Sequence, residues 1–289
     1  MRKPIKYINS ILASSLIVMA SACDPDGVDS LSFNVRTEGG VTTVKTDEEI
    51  HFLIDGNADY ITFYSGEDGN NYDNKSRTEA EIASLTLSCN IKQQYNDLSY
   101  WNKEIIHAYI STDFSGVYTP EELSKATWTS ISGNEYGHLP MPMATAASAA
   151  ETSGTVDLSL FTNINKNFYV AFQYNAEGRD AIPEANGNNK YTNRPRVDIT
   201  NLKMQKTTTD GQVIDITDAI KEWAFRPIYQ QSSTMTNYQV SDNSLLFQPQ
   251  KATLNAEGKE PNEVVWMVSQ NINPRSVEPD RGTAIQSIE

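Results

Sequence analysis

The sequence is short of cysteine, histidine and positive charge. Its 289 residues include two cysteines, three histidines and 23 Lys plus Arg against 37 Asp plus Glu, for a formal net charge of −14. Each shortage excludes something. Cys23 and Cys89 allow one disulfide at most, and no Cys-x-x-Cys pair or Cys/His cluster has zinc spacing. The histidines stand far apart at 51, 107 and 138, with no Gly-x-Ser-x-Gly elbow, so a Ser-His nucleophilic site lacks support. No Gly-rich phosphate loop is present. The acid excess disfavours nucleic acid and anionic membranes, because binding phosphate needs clustered Lys and Arg. No apolar run reaches the roughly 20 residues of a transmembrane helix.

What is present begins at the N-terminus. Arg2, Lys3 and Lys6 precede an apolar run from Ile11 to Met19, and Ala20-Ser21-Ala22 leads to Cys23. That order is a secretory signal. The small residues before Cys23 resemble the lipobox of bacterial lipoproteins, although Ala20 stands where leucine is preferred. The resemblance implies cleavage of residues 1–22 and lipidation of Cys23. Cleavage removes Arg2, Lys3 and Lys6 and no acid, leaving 20 basic against 37 acidic residues, a net charge of −17. With Cys23 lipidated, Cys89 has no partner. Residues 23–30, with Asp24-Pro25-Asp26-Gly27, then form a solvated tether. These acids also resemble the export signal of surface lipoproteins, which implies a surface-exposed, outer-membrane location.

The rest reads as short strands. Residues 31–35, 41–44, 49–54 and 61–64 carry β patterns, and the turn-rich run 66–70 closes the series. In 84–91, Leu85, Leu87, Cys89 and Ile91 share one face, so Cys89 is a buried apolar residue. Strands follow at 105–110, 126–131, 156–160, 168–174, 197–202 and 212–216. The run 168–174 is apolar on both faces and belongs in the centre of its sheet. Asp210-Gly211 marks a hairpin. Thr119-Pro120-Glu121-Glu122 is a capping box opening a short helix to Lys125, and 141–150 reads as a loop.

Two runs are similar to a Bacteroidetes lipoprotein family of unknown function. They are Asp47-Glu48-Glu49-Ile50-His51-Phe52 and Gly56-Asn57-Ala58-Asp59-Tyr60-Ile61-Thr62-Phe63-Tyr64-Ser65-Gly66-Glu67. The likeness continues through 111–116, 126–129, 169–174 and 279–285, and is weakest over 218–262. It implies an all-β chain, with a small PKD-like, immunoglobulin-type sandwich at 31–82 and a larger galactose-binding-like jelly roll at 83–289.

Function is less legible than address. A sugar's apolar face stacks on an exposed ring, and loops on a rigid sandwich carry binding. Tyr95, Tyr100 and Trp101 lie together among amides and acids, and Trp223, Phe225 and Tyr229 form a second aromatic segment. Tyr136, His138 and Tyr238 complete the candidate ligand residues. The bland alternative puts Trp101 and Trp223 in the sandwich core, where the strand patterns also put Trp128 and Trp266. No catalytic residues or metal ligands are assigned. A structural calcium ion has possible ligands in Asp113 or in Glu177, Asp180 and Glu184. Glycosidase chemistry needs only two carboxylates at a set separation, and 37 acids neither single out nor exclude a pair. The expectation is a non-catalytic, lipid-anchored glycan-binding component of a polysaccharide-uptake system, working beside other lipoproteins or a transporter. The alternatives are an adhesive lipoprotein with a protein partner and, third, a jelly-roll glycosidase.

Overall fold

A computed structural model describes residues 32–45, 48–58, 60–180, 182–183, 189–190, 194–217, 219–231, 238–249 and 258–285. The signal, Cys23 and the tether lie outside the described residues. The chain is mostly β. It divides into two compact units, Met1–Lys75 with Asp280–Glu289, and Ser76–Pro279.

The first unit holds two antiparallel pairs. Strand β1 (Phe33–Thr37) runs against β2 (Phe52–Gly56). Strand β3 (Ile61–Phe63) runs against the chain's last strand, Thr283–Ile285. The expected boundaries, 31–82 and 83–289, assign that last strand to the second unit. It returns because Asp280 accepts from the Asn71 backbone N–H at 2.9 Å and the Asn74 amide at 3.3 Å, while Arg281 N–H donates to Gly69 O at 3.0 Å. Val41 to Val44 has a strand pattern but no strand partner. Among the described residues of this unit only Asp280 is buried.

The second unit is a two-sheet sandwich built from strands β4 (Ile82–Gln94), β5 (Ile106–Ser111), β6 (Thr129–Ser130), β7 (Ala150–Asp157) and β8 (Tyr169–Ala176). After them come the short β9 (Arg179–Asp180), β10 (Ile182–Pro183) and β11 (Asn189–Lys190), then β12 (Arg196–Thr208), β13 (Val213–Asp215) and β14 (Arg226–Gln231). The chain closes with β15 (Tyr238–Val240), β16 (Ser244–Phe247), β17 (Lys259–Glu260), β18 (Glu263–Val268) and β19 (Thr283–Ile285, the strand that returns to the first unit). One sheet has the order β15-β16-β12-β4-β7, with β13 beside β12, and the other β14-β18-β8-β5-β6. Every ladder between these strands is antiparallel.

The period-2 pattern explains the core. Leu85, Leu87, Cys89 and Ile91 of β4 face inward with Val197 and Ile199 of β12, against Ile106, Ala108, Val170, Phe172 and Tyr174 of the other sheet. Burial pushes the Cys89 thiol up to about 12. The apolar β8 lies in the middle of its sheet, as its sequence predicts. Helix α1 (Pro120–Lys125) begins at the expected cap, where Thr119 Oγ1 accepts from Glu122 N–H at 3.3 Å. Phe114, Leu123, Trp266 and Val268, joined by Tyr109, Tyr118 and Trp128, form a satellite cluster apart from the main core. Trp128 and Trp266 therefore pack in this second cluster. The weak-likeness zone, 218–262, supplies integral strands, with Leu245 and Phe247 of β16 wholly buried.

Candidate functional site

The side chains that β4, β7 and β12 turn away from the core make a polar face. On β4 these are Asn90, Lys92 and Gln94, alternating with buried Cys89, Ile91 and Gln93. On β12 they are Arg196, Asp198 and Thr200, alternating with Val197 and Ile199. Ladder register aligns them into rows across the strands. Asp198 stands opposite Lys92, and Lys92 opposite Glu151, giving a row of alternating charge. One step along, Ser244, Thr200, Asn90 and Ser153 stand opposite one another and carry no charge. Both rows line a groove of about 690 Å³. A register shift follows between Thr200 and Lys203, where Asn201 takes a left-handed φ of 50°. Such a bulge bends its strand and sharpens the local twist.

The charged row is internally satisfied. Arg196 Nε donates to both Asp198 oxygens, at 3.1 and 2.9 Å, and Nη2 adds a bond of 2.7 Å. Gln94 donates to Asp198 Oδ2 at 2.8 Å. Asp198's bonds, aided by its charge and by the nearby Tyr95 phenol, raise the Arg196 pKa against the opposing pull of burial. Lys92 and Glu151 form a close ion pair. In the neutral row, by contrast, the side chains of Asn90, Thr200 and Ser153 have no hydrogen-bond partner within the described residues. Tyr95 follows Gln94 with φ 56° and is 59% exposed beside Arg196.

Among the sequence-predicted residues, only Tyr95 lies near this groove. Tyr100 is a correction. Asp97 accepts from Ser99 N–H at 3.0 Å to cap a short turn that takes Tyr100 inward to 1% exposure, with the Arg179 guanidinium 4.9 Å from its ring centre. Trp223 and Phe225 are corrected likewise. The left-handed Ala224 (φ 48°) between them lets the rings stack at 5.7 Å inside the core, where no sugar reaches. Trp101 is half-buried, and its indole N–H is buried without a partner among the described residues. Tyr136 is fully exposed, while His138 meets the Phe161 ring edge-on at 4.9 Å. Tyr229 and Tyr238 pack edge to face at 5.8 Å, and the Tyr238 hydroxyl donates to Glu263 at 2.8 Å. These side chains do not converge on one cleft.

The suggested calcium ligands are occupied elsewhere. Asp113 accepts from Thr127 N–H and from the Ser111 hydroxyl, both at 2.8 Å. Glu177 pairs with Lys103 at 2.9 Å and Asp180 with Lys259 at 3.3 Å. Glu184 lies outside the described residues. Among the described residues no three His, Cys, Asp or Glu side chains gather as a metal site.

Sequence reasoning passed over Asn90, Lys92, Arg196, Asp198 and Thr200. The signal was the polar half of two alternating strands. Only the register between β4, β7 and β12 turns those halves into rows.

Fold and site together define a two-unit antiparallel β protein with a polar groove on one sheet. The chain belongs to the DUF5017 family, described as a domain of unknown function, whose profile matches residues 22–224. That span includes β4, β7 and β12. No curated protein and no solved structure matches the chain.

Proposed function

We propose that this is a lipid-anchored surface protein that holds a glycan, without catalysing its breakdown, for a polysaccharide-uptake system of the outer membrane. The observation that carries the reading is the groove's neutral row. Asn90, Thr200 and Ser153 present an amide and two hydroxyls with no partner among the described residues, lined up across neighbouring strands. Such groups donate to and accept from sugar hydroxyls, and the sheet holds their backbone in line, so that the ordering cost on binding is confined to the side chains. Exposed Tyr95 offers a ring for a sugar's apolar face. Glu151 and Asp198 each already face a cation, an arrangement for holding rather than for proton donation.

The anchor reading draws on the lipobox-like run to Cys23 and on a family profile that begins at Ala22. We take the second unit as a galactose-binding-like jelly roll and the first as a PKD-like module. Fatty-acid labelling of cells should mark the wild-type chain and miss Cys23→Ser.

A second reading, recognition of a protein such as a neighbouring lipoprotein or transporter, draws on the first unit. Phe33, Val35 and Phe52 are exposed there on one face of the β1–β2 pair, and the exposed Phe63 ring lies 5.5 Å from that of Phe52. Monomers rarely leave such apolar surface together unless it meets something.

The test is affinity electrophoresis of residues 24–289 against soluble plant, host and microbial polysaccharides. Retardation by one of them is expected. Fragmentation of that polymer would replace binding with hydrolysis. Free migration across a broad panel would remove the glycan reading and favour the protein partner.

A further inference from the structure

We infer that the groove takes an uncharged glycan, laid across the strands with about one sugar unit over each. This rests on the glycan reading and narrows it. Among the groove-lining side chains, two cations and two carboxylates are matched one to one: Arg196 with Asp198, Lys92 with Glu151. A uronate, sulfate or sialate would have to take a cation from its present partner and leave a carboxylate behind, at a cost in both pairings. Lys203 of β12 lies past the bulge and does not line the groove. The chain's net charge of −14 adds a long-range penalty for any polyanion.

What remains open to a ligand is the neutral row Ser244, Thr200, Asn90 and Ser153, in which the Ser244 hydroxyl alone already meets another side chain, the Ser241 hydroxyl at 3.1 Å. Neighbouring strands lie about 4.8 Å apart, so the row spans about 14 Å. That spacing is close to the length of one pyranose unit in an extended chain. A polysaccharide crossing the strands therefore meets a new amide or hydroxyl at each sugar.

The experiment runs the lipid-free mature chain on gels carrying neutral polysaccharides, uronate-rich polymers and sulfated polymers, each at low and at high salt. Retention by a neutral polymer that persists at high salt is the expected result, since no net ionic contact is there to be screened. Retention only by acidic polymers, lost at high salt, would overturn this inference while leaving glycan binding intact. No retention by any polymer would take down the glycan reading and this inference with it.

Discussion

Replacing Glu263 with alanine should cost the second unit about 3–5 kcal/mol, the usual penalty for breaking a buried ion pair from one side. Its carboxylate is 0% exposed and sits 2.9 Å from Arg194 Nη1, whose own side chain is 1% exposed. Arg194 has a second bond to the Pro261 carbonyl, and Tyr238 donates to Glu263 Oε1 at 2.8 Å. Removing the carboxylate leaves a buried guanidinium without its counter-charge and a buried hydroxyl without its acceptor. Both losses act in the same direction. For a unit of this size each kcal/mol moves the melting point by about 2–4 °C, so a fall of about 6–20 °C follows. Urea unfolding followed by tryptophan fluorescence reads the change, because Trp223 and Trp266 are buried. The Arg194→Met/Glu263→Met double variant should recover most of the loss, since replacing a whole buried pair with apolar groups is often near neutral. Glu263→Gln keeps the shape and an acceptor for Tyr238, and so isolates the charge. A Glu263→Ala protein within about 1 kcal/mol of wild type would refute the reasoning.

Other outcomes follow from single contacts. Lys206 is buried with its ammonium on the carbonyls of Pro274 and Ser276, and Lys206→Met should cost about 1–3 kcal/mol by calorimetry through the acceptors it abandons. Burial lowers the His107 pKa, only partly offset by Glu104, so the unfolded chain binds a proton there more readily than the folded one. Stability should be full above the unfolded value of about 6.5 and fall as pH drops below it. Urea midpoints across that range should fall more gently in His107→Asn. Cys89, buried with its thiol pushed up to about 12, should resist alkylation in the native protein and react once urea unfolds it. Thr119→Ala removes the cap of α1 and should cost about 1 kcal/mol by urea unfolding.

Local chemistry was readable where it acts alone. The Thr119 cap, the Asp210-Gly211 hairpin and the inward Cys89 follow from residues within a few positions of one another. The central place of β8 followed from its apolar character on both faces. Where two distant segments decide the outcome, the pattern was silent. Strand β19 pairs with β3 more than 200 residues earlier, and nothing in either run names its partner. Residues 41–44 look like a strand but find no ladder.

The aromatic candidates failed for a related reason. Trp223 and Phe225 lie two apart, which in a strand would put them on one face, in the core or in solvent alike. One left-handed residue, Ala224, folds both rings into the core. The groove shows the opposite case. Its residue types were visible as the polar halves of β4 and β12, but a row across strands exists only once register is known.

Calorimetric titration of the mature chain with a retained neutral polysaccharide, wild type against Asn90→Ala/Thr200→Val, tests the central claim most directly. Both side chains point away from the core, so the fold should survive. Two lost hydrogen bonds, at about 1 kcal/mol each, predict a fall in affinity of about thirtyfold. Unchanged affinity in a folded double variant would mean that the glycan binds elsewhere on the molecule.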